Sequence, residues 1–230
     1  MTQLDLLDRP VWNALTTEQS HLAVASGAAV RMDPDYGPFA AARDDGRKAQ
    51  AALAATLRGA GDRIGVVERQ AWPVPEGLRV LGGGELVQMV FEGPASEEPD
   101  DPRIELLKAK DAKAMAALAH ATEPGPWGSK THLYGDYFGI RIGGKLAAMA
   151  GERMRLPGLA ELSGVSTWPE FRGQGLASVL VRRVVRGFLD RGETPFLHCY
   201  SANAGAVALY EALGFRTRAR MSFTILALDA

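Results

Sequence analysis

"FRGQGLA", residues 171–177, joins the strand-like "AELSGVST" (160–167) to the apolar run "SVLVRRVVRGFL" (178–189). In that run Leu176, Val179, Leu180, Val184 and Phe188 recur at three- and four-residue steps, with Arg182, Arg183 and Arg186 between them. That spacing predicts an amphipathic helix from about Gln174 to Asp190. The glycine segment is then a joint between a strand ending at Thr167 and a helix N-terminus, where backbone N–H groups lack intrahelical partners and the helix dipole is positive. Gly173 and Gly175 permit close backbone approach and unusual dihedrals, so the joint can form a nest of N–H donors for a diphosphate, with Arg172 adding charge at the rim. Taken alone, an Arg-Gly-x-Gly is more readily an ordinary tight turn. Neither the Lys-Ser or Lys-Thr pair of a P-loop nor the third glycine of a dinucleotide-binding loop is present.

The elements around this joint give it context. Downstream, "TPFLHCY" (194–200) reads as a buried strand, "NAGAVALYEALG" (203–214) as a short helix ended by Gly214, and "FRTRARMSFTILAL" (215–228) as a last strand. Upstream, "RIELLK" (103–108) is a strand, and "AKAMAALAHAT" (112–122) is a helix behind Asp111 as its candidate N-cap. "EPGPWG" (123–128) is a break, and Gly143-Gly144 turns a hairpin in "DYFGIRIGGKLAAMAGERM". The resulting order is β-α-β-β-β-α-β-α-β. Before it, "EGPASEEPDDP" (92–102) replaces the apolar pattern with acids and prolines and reads as a linker. The expected division is an N-terminal α/β domain at 1–92, a linker at 93–102 and a second domain at 103–230. In the first, helices are expected near 16–25 and over 47–59, with strands near 28–32, over 63–69 and over 85–92. "LGGGEL" (81–86) lacks a following helix pattern and reads as a flexible strand connection rather than a phosphate loop.

Composition narrows the function. The 230 residues carry 26 basic and 27 acidic side chains, a formal net charge of -1, without a dense basic stripe, so nucleic acid is not an expected partner. The single cysteine, Cys199, excludes an intrachain disulfide framework and a cysteine-based zinc cluster, which fits a reducing, cytoplasmic setting. "MTQLDLLDRPVW" has acids where a secretory signal has a basic start, and no run approaches the roughly 18 apolar residues of a membrane span.

The pattern Arg172-x-x-Gly175-x-Ala177 resembles the coenzyme A pyrophosphate loop of the GNAT superfamily of N-acetyltransferases, with Ala177 where many relatives have glycine. "NAGAVALYEALGF" is similar to that family's second motif at Asn203, Ala206, Leu209, Tyr210, Gly214 and Phe215, and "AELSGVSTWPEFRGQGLAS" looks like its glycine N-acyltransferase-like branch. The resemblance covers about Pro102 to Leu226. It implies a mixed, mostly antiparallel sheet flanked by helices, with 1–92 loosely resembling a decayed copy of the same fold that has lost the cofactor motif. It further implies acetyl-CoA as co-substrate, no metal, and a primary amine of a small molecule, amino acid or peptide as acceptor, in a monomer or homodimer. The alternative is a non-catalytic acyl-CoA-binding or regulatory protein.

Site roles follow from the resemblance. Val165, Ser166 and Thr167 would offer backbone groups to the pantetheine arm. Gly173, Gln174, Gly175, Leu176, Ala177 and Ser178 would surround the pyrophosphate, and Asn203 would touch the cofactor arm. Attack of an amine on a thioester requires the amine to lose a proton and the thiolate to gain one. Tyr210 is the candidate acid; on its residues alone it is also a core aromatic on an amphipathic helix. Glu161 is the candidate base, directly or through water, because strand alternation puts 161, 163, 165 and 167 on one face; a solvated strand-edge carboxylate is the plainer reading. The Val165 or Ser166 N–H is the natural oxyanion donor. His132 reads as a loop histidine with an acceptor contact as the sharper option, and His198 and Cys199 as core residues on opposite faces of one strand. Glu152 is either a cleft residue or part of a cross-sheet ion pair. Trp127 and Trp168 are either cleft walls or caps on the core.

Overall fold

The computed structural model of the protein describes residues 2–94 and 101–229. After a 3-10 helix at Gln3–Asp8 comes α1 (Pro10–Thr16), which Pro10 starts at a position where its missing N–H costs nothing. A small antiparallel sheet follows, built from β1 (Ala23–Ser26), β2 (Ala29–Met32) and β3 (Ala40–Ala42). Next come α2 (Arg47–Ala54), β4 (Arg63–Glu68), β5 (Leu78–Phe91) and β6 (Ile104–Leu106). The rest is α3 (Ala112–Thr122), β7 (Tyr137–Ile142), β8 (Lys145–Leu156), β9 (Leu159–Thr167), α4 (Leu176–Asp190), β10 (Thr194–Tyr200), α5 (Ala204–Ala212) and β11 (Phe215–Leu228).

The main sheet has eight strands in the order β4-β11-β5-β10-β9-β8-β7-β6. Its pairs are antiparallel except β9 with β10. One face is covered by α4, whose buried Leu176, Leu180, Val184 and Phe188 pack with Ala148, Leu162, Leu197 and Phe215. On another cluster, Leu7, Val11, Ala14 and Leu15 from the N-terminus pack with Met154, Leu159, Phe196, Met221 and Phe223. α3 adds Met115 and Leu118 beside Tyr137 and Met149. A fully buried Leu or Phe stabilises by about 1.5–3 kcal/mol relative to exposure, so α4 and α1 are held chiefly by these stripes. No helix among the described residues is long and apolar enough to cross a membrane.

Two expectations change. Residues 16–25 do not form a helix: the chain starts its helix earlier, at Pro10, and after a 3-10 turn at Ser20–Leu22 pairs β1 with β2. The "LGGGEL" segment lies within β5, with Gly82, Gly83 and Gly84 opposite Ile225, Thr224 and Phe223. The reason is close approach: a Cβ on Gly83 would lie 2.0 Å from the Phe223 carbonyl oxygen.

The boundary at 93–102 marks a change in composition, and the sheet continues across it. Residues 95–100 lie outside the described residues. β5, from before that segment, sits between β10 and β11 from after it, and β4 pairs with β11. Burial of Met89 and Val90 in β5 depends on strands far along the chain. A variant lacking residues 1–92 therefore loses two strands of the main sheet, and its expected behaviour in circular dichroism and thermal melting is loss of the cooperative transition. A cooperative melt near that of the full chain would contradict this.

Candidate active site

The sheet opens where its one parallel pair ends. β9 and β10 are in register at Thr194–Leu159, Pro195–Ala160 and Phe196–Glu161, and no further. Beyond that point β9 stays with β8 as far as Thr167 opposite Ala148, while β10 stays with β5 as far as Tyr200 opposite Leu86. The two halves diverge, leaving β9 without a ladder partner on its β10 side. A cavity of about 480 Å³ is bordered by both strands of the fork, by α5 and by residues from the N-terminal half.

Several residues singled out in the sequence border this cavity: Val165, Ser166, Thr167, Arg172, Ala177, Asn203 and Tyr210. Ser166 is 3 % exposed and its Oγ has no hydrogen-bond partner among the described residues, an orphaned polar atom on a residue that borders the cavity. Next to the cavity, Gly173 and Gly175 have φ of 76° and 73°, and Gly175 is the N-cap of α4. A Cβ at either glycine would meet nothing within 4 Å, so backbone conformation, not crowding, is what calls for glycine there. From Gly173 to Ser178 no backbone N–H has an acceptor among the described residues. Leu176 is buried in the core, so only its main chain is available to a ligand, while Gln174 is exposed. This donor set, at the positive end of a fifteen-residue helix, fits a diphosphate. Asn203 caps α5 by accepting from the Ala206 N–H at 3.1 Å, which leaves its amide nitrogen free.

Tyr210 packs edge-on against Phe215 at 5.9 Å. Burial pushes its phenol well above the usual tyrosine range, with Cys199 nearby adding to the rise, so it holds its proton throughout the neutral range.

Glu161 is placed differently from the expectation. It is fully buried and does not border the cavity. Its carboxylate accepts from Arg153 Nε at 2.8 Å and Nη2 at 2.6 Å, from the Met154 N–H at 3.2 Å, and from His198 Nδ1 at 2.7 Å. Burial alone would raise its pKa, but Arg153 and His198 more than offset this and hold it at about 2. A carboxylate so saturated is a poor proton acceptor, and direct general-base action by Glu161 does not fit this geometry. The alternation argument fails because β9 is irregular: Gly164 has φ 63°, and the β8–β9 register shifts between Met149 and Gly151 and between Glu152 and Arg155.

Other assignments also move. His198 and Cys199 both border the cavity, because β10 has left β9 by that point. His198 Nε2 lies 3.0 Å from Gln88 Nε2, which also donates to the Leu7 carbonyl at 2.8 Å. Glu152 is buried with Arg191 at 3.1 Å and Arg155 at 3.7 Å, away from the cavity. Trp127 packs edge-on to Tyr137, Trp168 lies under the Lys145 ammonium at 4.0 Å, and His132 is in a 3-10 turn; none borders the cavity. Residues that sequence reasoning missed include Phe39, Val67, Leu86 and Phe223, which form an apolar wall, and Arg153 itself. Only the Pro124-Gly125-Pro126 turn, also at the cavity, carried a local signal.

Two substitutions test this geometry. Glu161→Gln leaves Arg153, whose side chain is 11 % exposed at the cavity, without its counter-charge and is expected to cost about 3 kcal/mol of unfolding free energy at neutral pH. Because the folded pKa lies below the unfolded value of about 4.3, that stabilisation is present above pH ~4.3 and is lost as pH falls towards 2. The gap between wild type and variant in denaturant melts should narrow over that window; a gap independent of pH would contradict the assignment. Gly175→Ala places a Cβ in a left-handed conformation and is expected to cost about 1–2 kcal/mol and to weaken coenzyme A binding in calorimetry.

Residues 137–224 match the family described as FR47-like protein. The [Ribosomal protein bS18]-alanine N-acetyltransferase of Escherichia coli K12 is 30% identical over 118 residues, 49% of this chain and 79% of that protein. A crystal structure from Novosphingobium aromaticivorans, assigned to acetyltransferases of the GNAT family, is 53% identical, covers 97% of this chain and 99% of its own, and superposes with a TM-score of 0.92. A GCN5-related N-acetyltransferase from Kribbella flavida shares the fold at a TM-score of 0.64 and 17% identity, over 96% of each chain. The open fork, the free amides at the head of α4 and these relatives agree, and the chain belongs to the GNAT family of acyl-CoA-dependent N-acetyltransferases.

Proposed function

We propose that the protein transfers an acetyl group from acetyl-CoA to the primary amine of a small molecule, amino acid or peptide by direct attack on the thioester. The observation that supports this most is the run of unpartnered amides from Gly173 to Ser178 beside a cavity bordered by Tyr210. Acetyl-CoA supplies an activated acyl carbon and a sulfur leaving group. In this reading the 173–178 amides bind the pyrophosphate, Arg172 adds charge at the rim, and the free side of β9 at Val165, Ser166 and Thr167 binds the pantetheine arm together with Asn203. The oxyanion donor falls to the Val165 or Ser166 N–H.

Tyr210 is the proton donor to the departing sulfur, and the proton lost by the attacking amine goes to solvent in the open cavity, since the Glu161 carboxylate is saturated. Its raised pKa is compatible with that role because a thiolate leaving into the same apolar surroundings is also made more basic, as burial does to the neighbouring Cys199 thiol. Glu161 acts as a positioning group, fixing Arg153 and His198 at the mouth of the fork. The ribosomal-protein relative acts on a protein alanine; here the acceptor end is bordered by Phe39 and Val67 from the N-terminal half, which gives residues 1–92 the role of an acceptor wall. Placement in the glycine N-acyltransferase-like branch rests on the "AELSGVSTWPEFRGQGLAS" block. For Tyr210→Phe the expected outcome is a fall in kcat of roughly 10²-fold or more with coenzyme A affinity unchanged, measured by thiol release over an amine panel. Unchanged kcat would remove Tyr210 from the mechanism.

A further inference from the structure

At neutral pH a primary alkyl amine arrives as its ammonium ion and sheds a proton to solvent before it attacks, and a cavity wall of Phe39, Val67, Leu86 and Phe223 offers that ion no partner. Among the described residues that border the cavity, one carries a carboxylate, Glu123. Glu161 is behind the wall and saturated by Arg153, His198 and the Met154 N–H. The Glu123 carboxylate, in contrast, has no hydrogen-bond or ion-pair partner among the described residues.

The backbone singles out the same residue. Glu123 is the one non-glycine residue with positive φ among those described, at φ 47° and ψ 54°, where it ends α3 by donating its N–H to the Ala119 carbonyl at 2.8 Å. Glycine is the usual occupant of a left-handed helix end, because an L side chain is strained there. Pro124-Gly125-Pro126 follows and also borders the cavity. A Cβ on Gly125 would lie 3.5 Å from Arg153 Nη1, so this turn stands against the guanidinium that Glu161 neutralises. An incoming ammonium at that end meets a compensated cation and a free carboxylate.

Building on the acetyl-transfer reading, we propose that Glu123 is the acceptor-binding carboxylate: it holds the ammonium form of a primary amine whose hydrocarbon portion packs on Phe39, Val67 and Phe223. The left-handed backbone at Glu123 carries a carboxylate where glycine would be relaxed. The test compares full-length wild type, Glu123→Gln and Glu123→Gly in steady-state kinetics with a panel of alkyl primary amines, beside thermal melts. Both variants are expected to raise acceptor KM at least about tenfold, the loss of one charge-assisted contact, with KM for acetyl-CoA unchanged. The glycine variant should also melt higher than wild type, a pairing of gained stability with lost acceptor affinity that a purely structural role would not produce. Acceptor KM unchanged in both variants, or KM for acetyl-CoA rising in parallel, overturns the role of Glu123 and leaves acetyl transfer standing. Wild-type protein that binds coenzyme A but acetylates no primary amine overturns both.

Discussion

The buried carboxylate of Glu161 sits at the last paired residue of β9 and β10, and the rest of the site is arranged around it. It ties together three strands: its own, β8 through Arg153, and β10 through His198. From His198 the chain of polar contacts continues to Gln88 on β5, then to Arg218 on β11 at 2.9 Å, and from Arg218 to Asp8 at 2.9 Å. A buried carboxylate must be paired to be tolerated; β8 and β10 satisfy this one directly, and the contacts beyond His198 draw in three further parts of the chain. The polar cluster therefore lies at the point where the sheet stops being continuous and the fork begins.

That arrangement accounts for the N-terminal half. A fork with free strand edges loses stability that must come from elsewhere, and β5 provides it by pairing with β10 on one side and β11 on the other. α1 and the residues before it cover the sheet with Leu7, Val11 and Leu15, and the Leu7 carbonyl fixes Gln88. Phe39, near the small sheet, bridges to Gly65 on β4, stacks under the Arg153 guanidinium at 5.0 Å and borders the cavity. The same residues serve the core and the wall of the site.

The sequence made the local parts of this design readable. "FRGQGLA" appears as two left-handed glycines at the head of α4, Asn203 as a side-chain cap, Gly143-Gly144 as a hairpin turn, and "TPFLHCY" and "FRTRARMSFTILAL" as β10 and β11 to the residue. Each rests on chemistry within a few neighbours. What escaped depends on distant residues. Glu161 looks like a strand carboxylate on the cofactor face until Arg153 is known to lie beside it and Gly164 to break the alternation. His198 and Cys199 read as core because nothing local shows β10 parting from β9. "LGGGEL" looks like a loop because its pairing partner, and the backbone approach that requires Gly83, come from β11, some 140 residues later.

In the proposed reading coenzyme A lies in the fork with its diphosphate on the α4 amides. Amide chemical shifts of the isotopically labelled full-length protein, followed by NMR as coenzyme A is added, test it most directly. The account predicts the largest changes at the N–H groups of Gly173 to Ser178 and along Val165 to Thr167. Saturable binding that leaves those amides unmoved, or no binding at millimolar coenzyme A, would contradict it.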